Sequence, residues 1–216
     1  MKKLLFTALF ALLATTLFAQ DISLPPPAAK SGMDLLSAMQ ARKISRTFVR
    51  KEIPVADLST ILWSGLGLRP VDAVSSATKA GRTISFSGDN VYINVYVLSD
   101  KGVWKYLPEN NTLKFVSKLE SRPAVSSATI PAASIMILFT VDNALMPSFL
   151  KGNPGTFHLM ANATAGFAAQ NIALTASAFK LASIIQYTLN PAKAAAAAGL
   201  GKEEVPLFIQ QLGYTE

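Results

Sequence analysis

A long stretch of small residues in the C-terminal half constrains the fold of this chain more than any other feature. Phe157 to Leu181 has the composition of one long helix, and it is crowded with small residues, including Ala161, Ala165, Gly166, Ala168, Ala169, Ala173 and Ala176. Small side chains let two packed helix axes approach closely. We therefore predict a long helix against which a second helix packs. Lysine, asparagine and glutamine interrupt the C-terminal half, so no segment there suits a membrane span.

The middle of the chain predicts a sheet. Ser134 to Val141 (SIMILFTV) is a continuous apolar run of strand length, typical of a central strand buried on both faces. Asn90 to Ser99 alternates and is rich in β-branched and aromatic residues, which indicates another strand. Further strands are predicted at Gly102–Tyr106, Thr112–Val116 and Val205–Leu212, with residues 108–111 as the turn between the first two of these.

Shorter helices are predicted on both sides of these strands, at residues 33–42, 54–66 and 190–199. Ser31 is the expected N-cap of the first helix, and Gly65 and Gly67 are expected to end the second. Residues 69–82 lack periodicity and predict a loop. Helices come first, strands follow, and the two alternate at the end, which predicts the α+β class.

The N-terminus has the pattern of a secretory signal peptide. Lys2 and Lys3 precede an apolar run from Leu4 to Leu13, and small residues lead to Ala19. The apolar run is about ten residues long, whereas a membrane-spanning helix needs roughly 20. We therefore predict a cleavable signal at residues 1–19, a proline-rich extended tether at 20–32 and one domain at 33–216. An uncleaved membrane anchor is the alternative interpretation.

The composition excludes several kinds of site. The chain has no cysteine, which rules out disulfides, zinc–thiolate sites and thiol catalysis. Its one histidine, His158, argues against a protein-built metal site, and a Ser-His-Asp triad would have to use it. An exported protein without cysteine is compatible with the bacterial periplasm. The net charge of +7 could favour binding to nucleic acid, but export argues against nucleic acid as a partner.

Positive charge is concentrated directly after the first predicted helix. Arg42, Lys43 and Arg46 lie within five residues, with Ser45 among them. Arginine offers a planar fork that matches phosphate oxygens, lysine adds a point charge, and the serine hydroxyl can donate a hydrogen bond. The cluster therefore predicts a site for a terminal phosphate. The alternative is a solvated helix end, because cations favour helix C-termini in any case.

A second candidate segment is the loop from Gly81 to Asn90 (GRTISFSGDN), which leads into a predicted strand. Its small residues permit a close approach between the backbone and a ligand. An ordinary connecting loop is the alternative interpretation. Neither segment identifies a catalytic residue.

Taken together, these segments resemble the nitroreductase family of flavoproteins from about Met33 to Tyr214. Residues 41–48 (ARKISRTF) are similar to the family's RRSxRxF motif, and residues 82–97 match the length of its RTxPSAGN…VYV loop and strand. Residues 165–174 (AGFAAQNIAL) resemble its aGxxaQNxxL helix. Residues 53–65 resemble its IP…L…LLWAA helix, and residues 205–214 resemble its final strand.

The resemblance implies an α+β nitroreductase fold, in which helices flank a central mixed or antiparallel sheet and the long small-residue helix lies at the interface of an intertwined homodimer. It also implies FMN at that interface, where the isoalloxazine ring performs the redox chemistry in two half-reactions. By the same resemblance, the phosphate would be held by Arg42, Lys43, Ser45 and Arg46, and the ring would be contacted by Ser85, Ser87, Gly88 and Asp89.

Two functional hypotheses follow from the resemblance. The first is an exported FMN-dependent oxidoreductase that acts on an unidentified small molecule. A quinone or a partner protein would then donate electrons, or a substrate would be oxidised directly, because nicotinamide cofactors are scarce outside the cytoplasm. The second is a degenerate member of the fold that has lost FMN and serves as a binding or structural module. It is kept because Ile44, Phe86 and Asp89 depart from the family's serine, serine and asparagine.

Overall fold

A seven-stranded sheet, antiparallel at every described pairing, forms the centre of the protein. The computed structural model describes residues 20–69, 81–87, 90–127 and 133–216, so the expected signal at 1–19 lies outside the described residues. The strands are β1 (Ile22–Ser23), β2 (Ile93–Ser99), β3 (Gly102–Leu107), β4 (Thr112–Ser117), β5 (Ile135–Asp142), β6 (Ala182–Gln186) and β7 (Glu204–Gly213). Their order in the sheet is β1-β4-β3-β2-β5-β7-β6. The predicted α+β fold class is confirmed.

Five α-helices accompany the described strands. They are α1 (Leu35–Ala41), α2 (Val55–Leu66), α3 (Arg122–Val125), α4 (Pro154–Ala178) and α5 (Pro191–Ala198). Helices α2 and α4 cover one face of the sheet, and the shorter α3 and α5 cover the other. Among the described residues, no helix combines the length and the apolar character needed to cross a membrane.

Strand β5 is the central strand that its apolar run predicts. Its first seven residues are buried, and it pairs with β2 on one side and β7 on the other. Ile137 and Phe139 point into the core beneath α2 and α4, while Met136 and Leu138 point into the core beneath α5. The strand therefore carries apolar side chains on both faces because both faces are covered by helices.

Close packing between α4 and α2 confirms the predicted role of the small residues. Ala165, Ala168 and Ala169 of α4 are fully buried in the core that includes α2. A Cβ atom at Gly65 would lie only 2.6 Å from Cδ1 of Ile172, so this position admits only glycine without rearrangement. Helix α2 ends at Leu66 with Gly67 as its C-cap, which confirms the predicted end of the helix, whereas Gly65 lies inside the last turn and does not end it.

The start of α1, both ends of α4 and two short strands differ from the sequence predictions, and α4 runs from Pro154 to Ala178 where Phe157 to Leu181 is predicted. Helix α1 begins after Asp34, whose carboxylate accepts a hydrogen bond from the Ser37 amide at 3.0 Å, so Ser31 is not the N-cap. Strand β6 was not predicted, because Lys180 supplies the left-handed turn after α4 (φ +62°) without a glycine or proline in the sequence. Strand β1 was not predicted because two residues carry no periodicity.

The segment at residues 20–28 packs along one edge of the sheet and onto α2. Strand β1 pairs with β4, and the Leu24 side chain is buried in the main core. The Pro25 carbonyl accepts hydrogen bonds from the Ser59 hydroxyl at 2.5 Å and from Asn111 Nδ2 at 2.8 Å. This edge of the sheet is therefore covered by the chain's own N-terminal segment.

Asn111 fastens this segment, and its replacement tests how much the contact contributes. Its backbone is left-handed (φ +48°), its Nδ2 donates to Pro25, and its Oδ1 accepts from the buried Tyr106 hydroxyl at 3.0 Å. We expect Asn111→Gly to lower the free energy of unfolding by about 2 kcal/mol, because both hydrogen bonds are lost. We expect Asn111→Ala to cost about 1 kcal/mol more, because alanine strains the left-handed backbone. Urea denaturation of both variants measures the difference, and equal losses in the two would contradict the role of the backbone.

Candidate functional site

The basic cluster lies on the connection between α1 and α2, beside the C-terminal end of β7. The Lys43 carbonyl accepts a hydrogen bond from the Ser183 amide of β6 at 3.2 Å. Six residues later, Val49 forms a bridge with Tyr214, and the Val49 amide donates to the Tyr214 carbonyl at 3.0 Å. These two backbone contacts fix the cluster beside the edge strand β6 and the end of β7.

The three cations of the cluster present free charges to solvent. Arg42, Lys43 and Arg46 are all exposed. Within the described ranges, none of their side chains forms a hydrogen bond or an ion pair with another residue. An anion can therefore bind here without displacing an internal ion pair, which removes one cost of binding.

Ser45 is engaged locally. Its hydroxyl donates to the Thr47 carbonyl at 2.6 Å and accepts from the Thr47 amide at 3.1 Å, which closes a tight turn. Ile44, beside it, is 62% exposed. The hydroxyl proton of Ser45 is already used in this conformation, so the cations are the groups that are free to bind an anion.

The start of the second candidate segment is anchored to the end of α2. Arg82 is 8% exposed; it donates to the Leu66 carbonyl at 3.2 Å and pairs with Glu109. Burial is the largest single influence on the Glu109 carboxyl group and would raise its pKa, but the hydrogen bond and charge of Arg82, a backbone hydrogen bond and the charge of Lys105 together hold that pKa below its usual value. Thr83 adds two contacts, from its amide to the Gly67 carbonyl at 3.0 Å and from its hydroxyl to the Trp63 carbonyl at 3.1 Å.

Asn171 joins this segment to the long helix. Its Nδ2 donates to the Ser64 carbonyl of α2 at 3.1 Å and to the Thr83 carbonyl at 3.4 Å. The side chain therefore connects α4, the end of α2 and the loop through one amide group. The sequence shows the Gln-Asn motif at residues 170–171. It does not show that Asn171 connects these elements, because the two carbonyl partners are distant in the chain.

The rest of the loop places two serines in solvent. Phe86 is half-buried and packs edge-on against Tyr92, with ring centroids 5.2 Å apart. The flanking residues Ser85 and Ser87 are exposed. Gly88 and Asp89, the other two residues predicted to contact a ring, lie outside the described residues, as do residues 70–80 of the predicted loop.

Helix α4 is the common support of both candidate segments. Asn171 binds the loop, and Ser177 donates to the Ala38 carbonyl of α1 at 2.9 Å, just ahead of the basic cluster. These two attachment points are six residues apart, which corresponds to about 9 Å along a helix axis. No hydrogen bond between described residues joins the two segments directly, so their relative position depends on α4.

Replacing Asn171 tests its structural role in the site. We expect Asn171→Ala to lower the free energy of unfolding by about 1–2 kcal/mol, because two carbonyl groups lose their donor. Hydrogen exchange at residues 81–87 should become faster. Asn162→Ala is the matched control, since Asn162 is exposed on the same helix and donates only to the His158 carbonyl one turn away. Equal effects of the two substitutions would contradict the role of Asn171.

Comparisons with known proteins agree with this architecture. A candidate nitroreductase from Ralstonia eutropha JMP134 is 25% identical, with a TM-score of 0.81 over 91% of this chain and 90% of that one. The Escherichia coli microcin synthetase McbBCD complex contains a chain that is 14% identical, with a TM-score of 0.67 over 99% and 85%. The NADPH:FMN oxidoreductase of Vibrio harveyi, complexed with NAD+, is 18% identical, with a TM-score of 0.58 over 84% and 69%.

The family comparison covers most of the chain. No curated protein matches it. The model of the nitroreductase family matches residues 39–214, which include the basic cluster, the loop, the long helix and the last strand. The chain therefore belongs to the nitroreductase family.

Proposed function

We propose that this protein is an exported, homodimeric oxidoreductase that uses FMN for two-electron redox chemistry on a small molecule. The observation that carries the proposal is the set of free cations Arg42, Lys43 and Arg46 at the start of the matched region. The nitroreductase family consists generally of FMN-dependent oxidoreductases, and one neighbour in fold is an NADPH:FMN oxidoreductase. The proposal extends that chemistry to this chain.

The cluster has the donor chemistry that the terminal phosphate of FMN requires. Two guanidinium groups can each give paired hydrogen bonds to phosphate oxygens, and the Lys43 ammonium adds a third charge. Because these side chains have no partner among the described residues, they keep their full hydrogen-bonding capacity for a ligand. The backbone bonds from Lys43 to Ser183 and from Val49 to Tyr214 hold the connection in place.

The loop at residues 81–87 would support the ring of FMN. Bound flavin supplies the electron transfer, since its isoalloxazine ring accepts and releases two electrons. The protein's part is to hold the loop rigid, through Arg82 and Asn171, and to present Ser85 and Ser87 as hydrogen-bonding groups. Rigid support from a helix is what a precisely oriented cofactor needs.

Exposed apolar side chains on α1 and α4 support the homodimer. These two helices contact each other, and their large apolar residues in solvent are Leu35 (61%), Leu36 (69%), Met39 (48%), Leu159 (73%) and Phe167 (52%). Large apolar patches on a soluble protein mark interaction surfaces. A second copy of the chain would cover them and would bring a second basic cluster and a second loop to the interface.

The N-terminal pattern supports export, with the bacterial periplasm as the proposed location. In that location the supply of nicotinamide cofactors is low. We therefore propose that a quinone or a partner protein reduces the flavin, or that the small molecule is itself oxidised directly.

Flavin content of the purified mature protein tests the proposal. We expect residues 20–216 to be yellow as purified and to bind added FMN. Arg42→Ala should weaken FMN binding about tenfold or more, because a charge-assisted hydrogen bond contributes roughly 1.5–3 kcal/mol. Quenching of flavin fluorescence on titration measures the dissociation constant.

Lys193→Ala is the control for loss of positive charge, since Lys193 is exposed on α5 on the opposite face of the sheet. It should leave FMN affinity unchanged. A colourless protein with no thermal shift on addition of FMN would overturn the proposal in favour of a fold that has lost its flavin.

The oligomeric state tests the proposed interface separately. We expect the native protein to sediment as a dimer, and Leu36→Glu to shift it towards the monomer, because the substitution places a charge inside an apolar contact. Leu119→Glu is the matched control, since Leu119 is 65% exposed between β4 and α3. Analytical ultracentrifugation distinguishes the two, and a native monomer would contradict the interface.

A further inference from the structure

A cavity of about 670 Å³ lies between the sheet and the connection that leads into α2. This volume falls within the range of about 300–1,000 Å³ that is usual for small-molecule sites. Its described lining contains none of the residues proposed to bind FMN. The cavity is therefore a feature of the fold that the proposed flavin chemistry does not use.

The floor of the cavity is apolar and belongs to four different strands. Val97, Trp104, Leu113 and Ile135 come from β2, β3, β4 and β5, and each is at most 9% exposed. Leu58 of α2 closes the floor on the helix side and is also buried. Such a surface favours the apolar part of a ligand, because binding removes that part from water.

The side walls come from two connecting segments. Ile22 of β1 lines the cavity at the covered edge of the sheet. Phe48 and Ile53 line it from the connection before α2, and Ile53 is only 5% exposed. Backbone contacts hold both segments, from Val49 to Tyr214 and from Leu24 to Asn111. The cavity is thus enclosed by fixed elements of the fold.

Charged residues form the rim, and most of its charges neutralise one another. The Arg122 guanidinium pairs with Glu120 and donates to the carbonyl groups of Ala133 and Ser134. Lys101 pairs with Glu52 at 2.6 Å and lies beside Asp100. These contacts pair Glu52 and Glu120 with two of the four cations of the rim, and the third acid, Asp100, lies beside the already paired Lys101.

Arg50 and Lys51 supply the remaining positive charge. The Lys51 ammonium lies 4.1 Å from the ring centroid of Tyr214, a contact that leaves its charge intact. The Arg50 side chain is exposed and forms no hydrogen bond or ion pair with any described residue. Burial is the largest single influence on Glu120 and would raise its pKa, but the hydrogen bonds and charge of Arg122 together with the charge of Arg50 hold that pKa below its usual value. The rim is therefore net positive at one side.

We propose that this cavity binds a small amphiphile that has an apolar chain or ring and a single anionic head group. The apolar part would lie on the floor at Trp104 and Ile135, and the head group would lie at the rim beside Arg50 and Lys51. The apolar floor lies next to the positive charge of Arg50 and Lys51, and this arrangement is complementary to an anionic amphiphile. A neutral apolar molecule would leave the charge unused, and a cationic one would be repelled by it.

Two probes with the same chain and opposite charge test the proposal on the full mature protein. Decanoate should bind saturably by isothermal titration calorimetry and should change the fluorescence of the tryptophan at position 104. Decyltrimethylammonium should bind at least tenfold more weakly. Equal binding of the two probes, or no binding of decanoate, would overturn the proposal.

Variants locate the binding to this cavity. Val55, half-exposed at the start of α2, lines the cavity, so Val55→Trp should abolish decanoate binding by filling it. Leu119→Trp is the control, because it places a tryptophan at an exposed residue outside the described lining. This variant should bind decanoate as tightly as the native protein does. Arg50→Glu, a surface change that does not threaten folding, should weaken binding about fivefold, the effect of one exposed ion pair.

The flavin content of each variant separates this proposal from the proposed function. Val55→Trp and Arg50→Glu should keep the FMN of the native protein, since neither residue belongs to the proposed flavin site. Decanoate affinity unchanged in both variants would place the binding elsewhere and overturn the cavity as the site. A protein without FMN that binds decanoate as described would leave this inference standing and overturn only the flavin proposal.

Discussion

The close contact between α2 and α4 is the constraint on which the rest of the molecule depends. Gly65 leaves no room for a side chain beside Ile172, and Asn171, one position earlier on α4, binds the carbonyl groups of Ser64 and Thr83. Packing and hydrogen bonding therefore act at the same place. Because these carbonyl groups are partly buried, loss of the Asn171 donor would leave them without that hydrogen bond, and the loop at residues 81–87 would lose its attachment to the long helix.

Burial divides the cationic residues of this protein into two groups. Arg82 and Arg122 are each 8% exposed and are bound to carbonyl groups and to one carboxylate, so they stabilise the fold. Arg42, Arg46 and Arg50 are exposed and have no partner among the described residues, so they are available to ligands. The same residue type thus serves two purposes, and solvent access decides which.

The two proposed ligand sites differ in the charges that they offer to a ligand. The basic cluster has only cations, all in solvent, and suits a phosphate. The cavity has an apolar floor and a rim with four cations and three acids, which leaves a small positive excess for a single anionic group. Both sites border the connection between α1 and α2. That connection is held by backbone bridges, which leave its charged side chains free.

The fold class, the family resemblance, the central strand β5 and the long helix α4 can all be predicted from the sequence alone. Each of these is recorded in local periodicity or in a run of residues, and neighbouring residues alone can express it. The α5 helix was predicted for the same reason, since Asn190, Pro191 and Gly199 punctuate it and Gly199 is left-handed (φ +60°). The basic cluster was also visible, because its charges are adjacent in the chain.

The contacts that these residues make depend on how the elements pack in three dimensions. The sequence predicts Gly65 as a helix terminator, whereas in the structure α2 and α4 meet at this residue. The contact is with Ile172, which lies more than a hundred positions away in the chain. The partners of Asn171 and the edge strand β6 were hidden for the same reason. The cavity draws its floor from four strands and one helix, so no segment of sequence contains it. Periodicity reports which residues are buried, whereas three-dimensional pairing determines which of them meet.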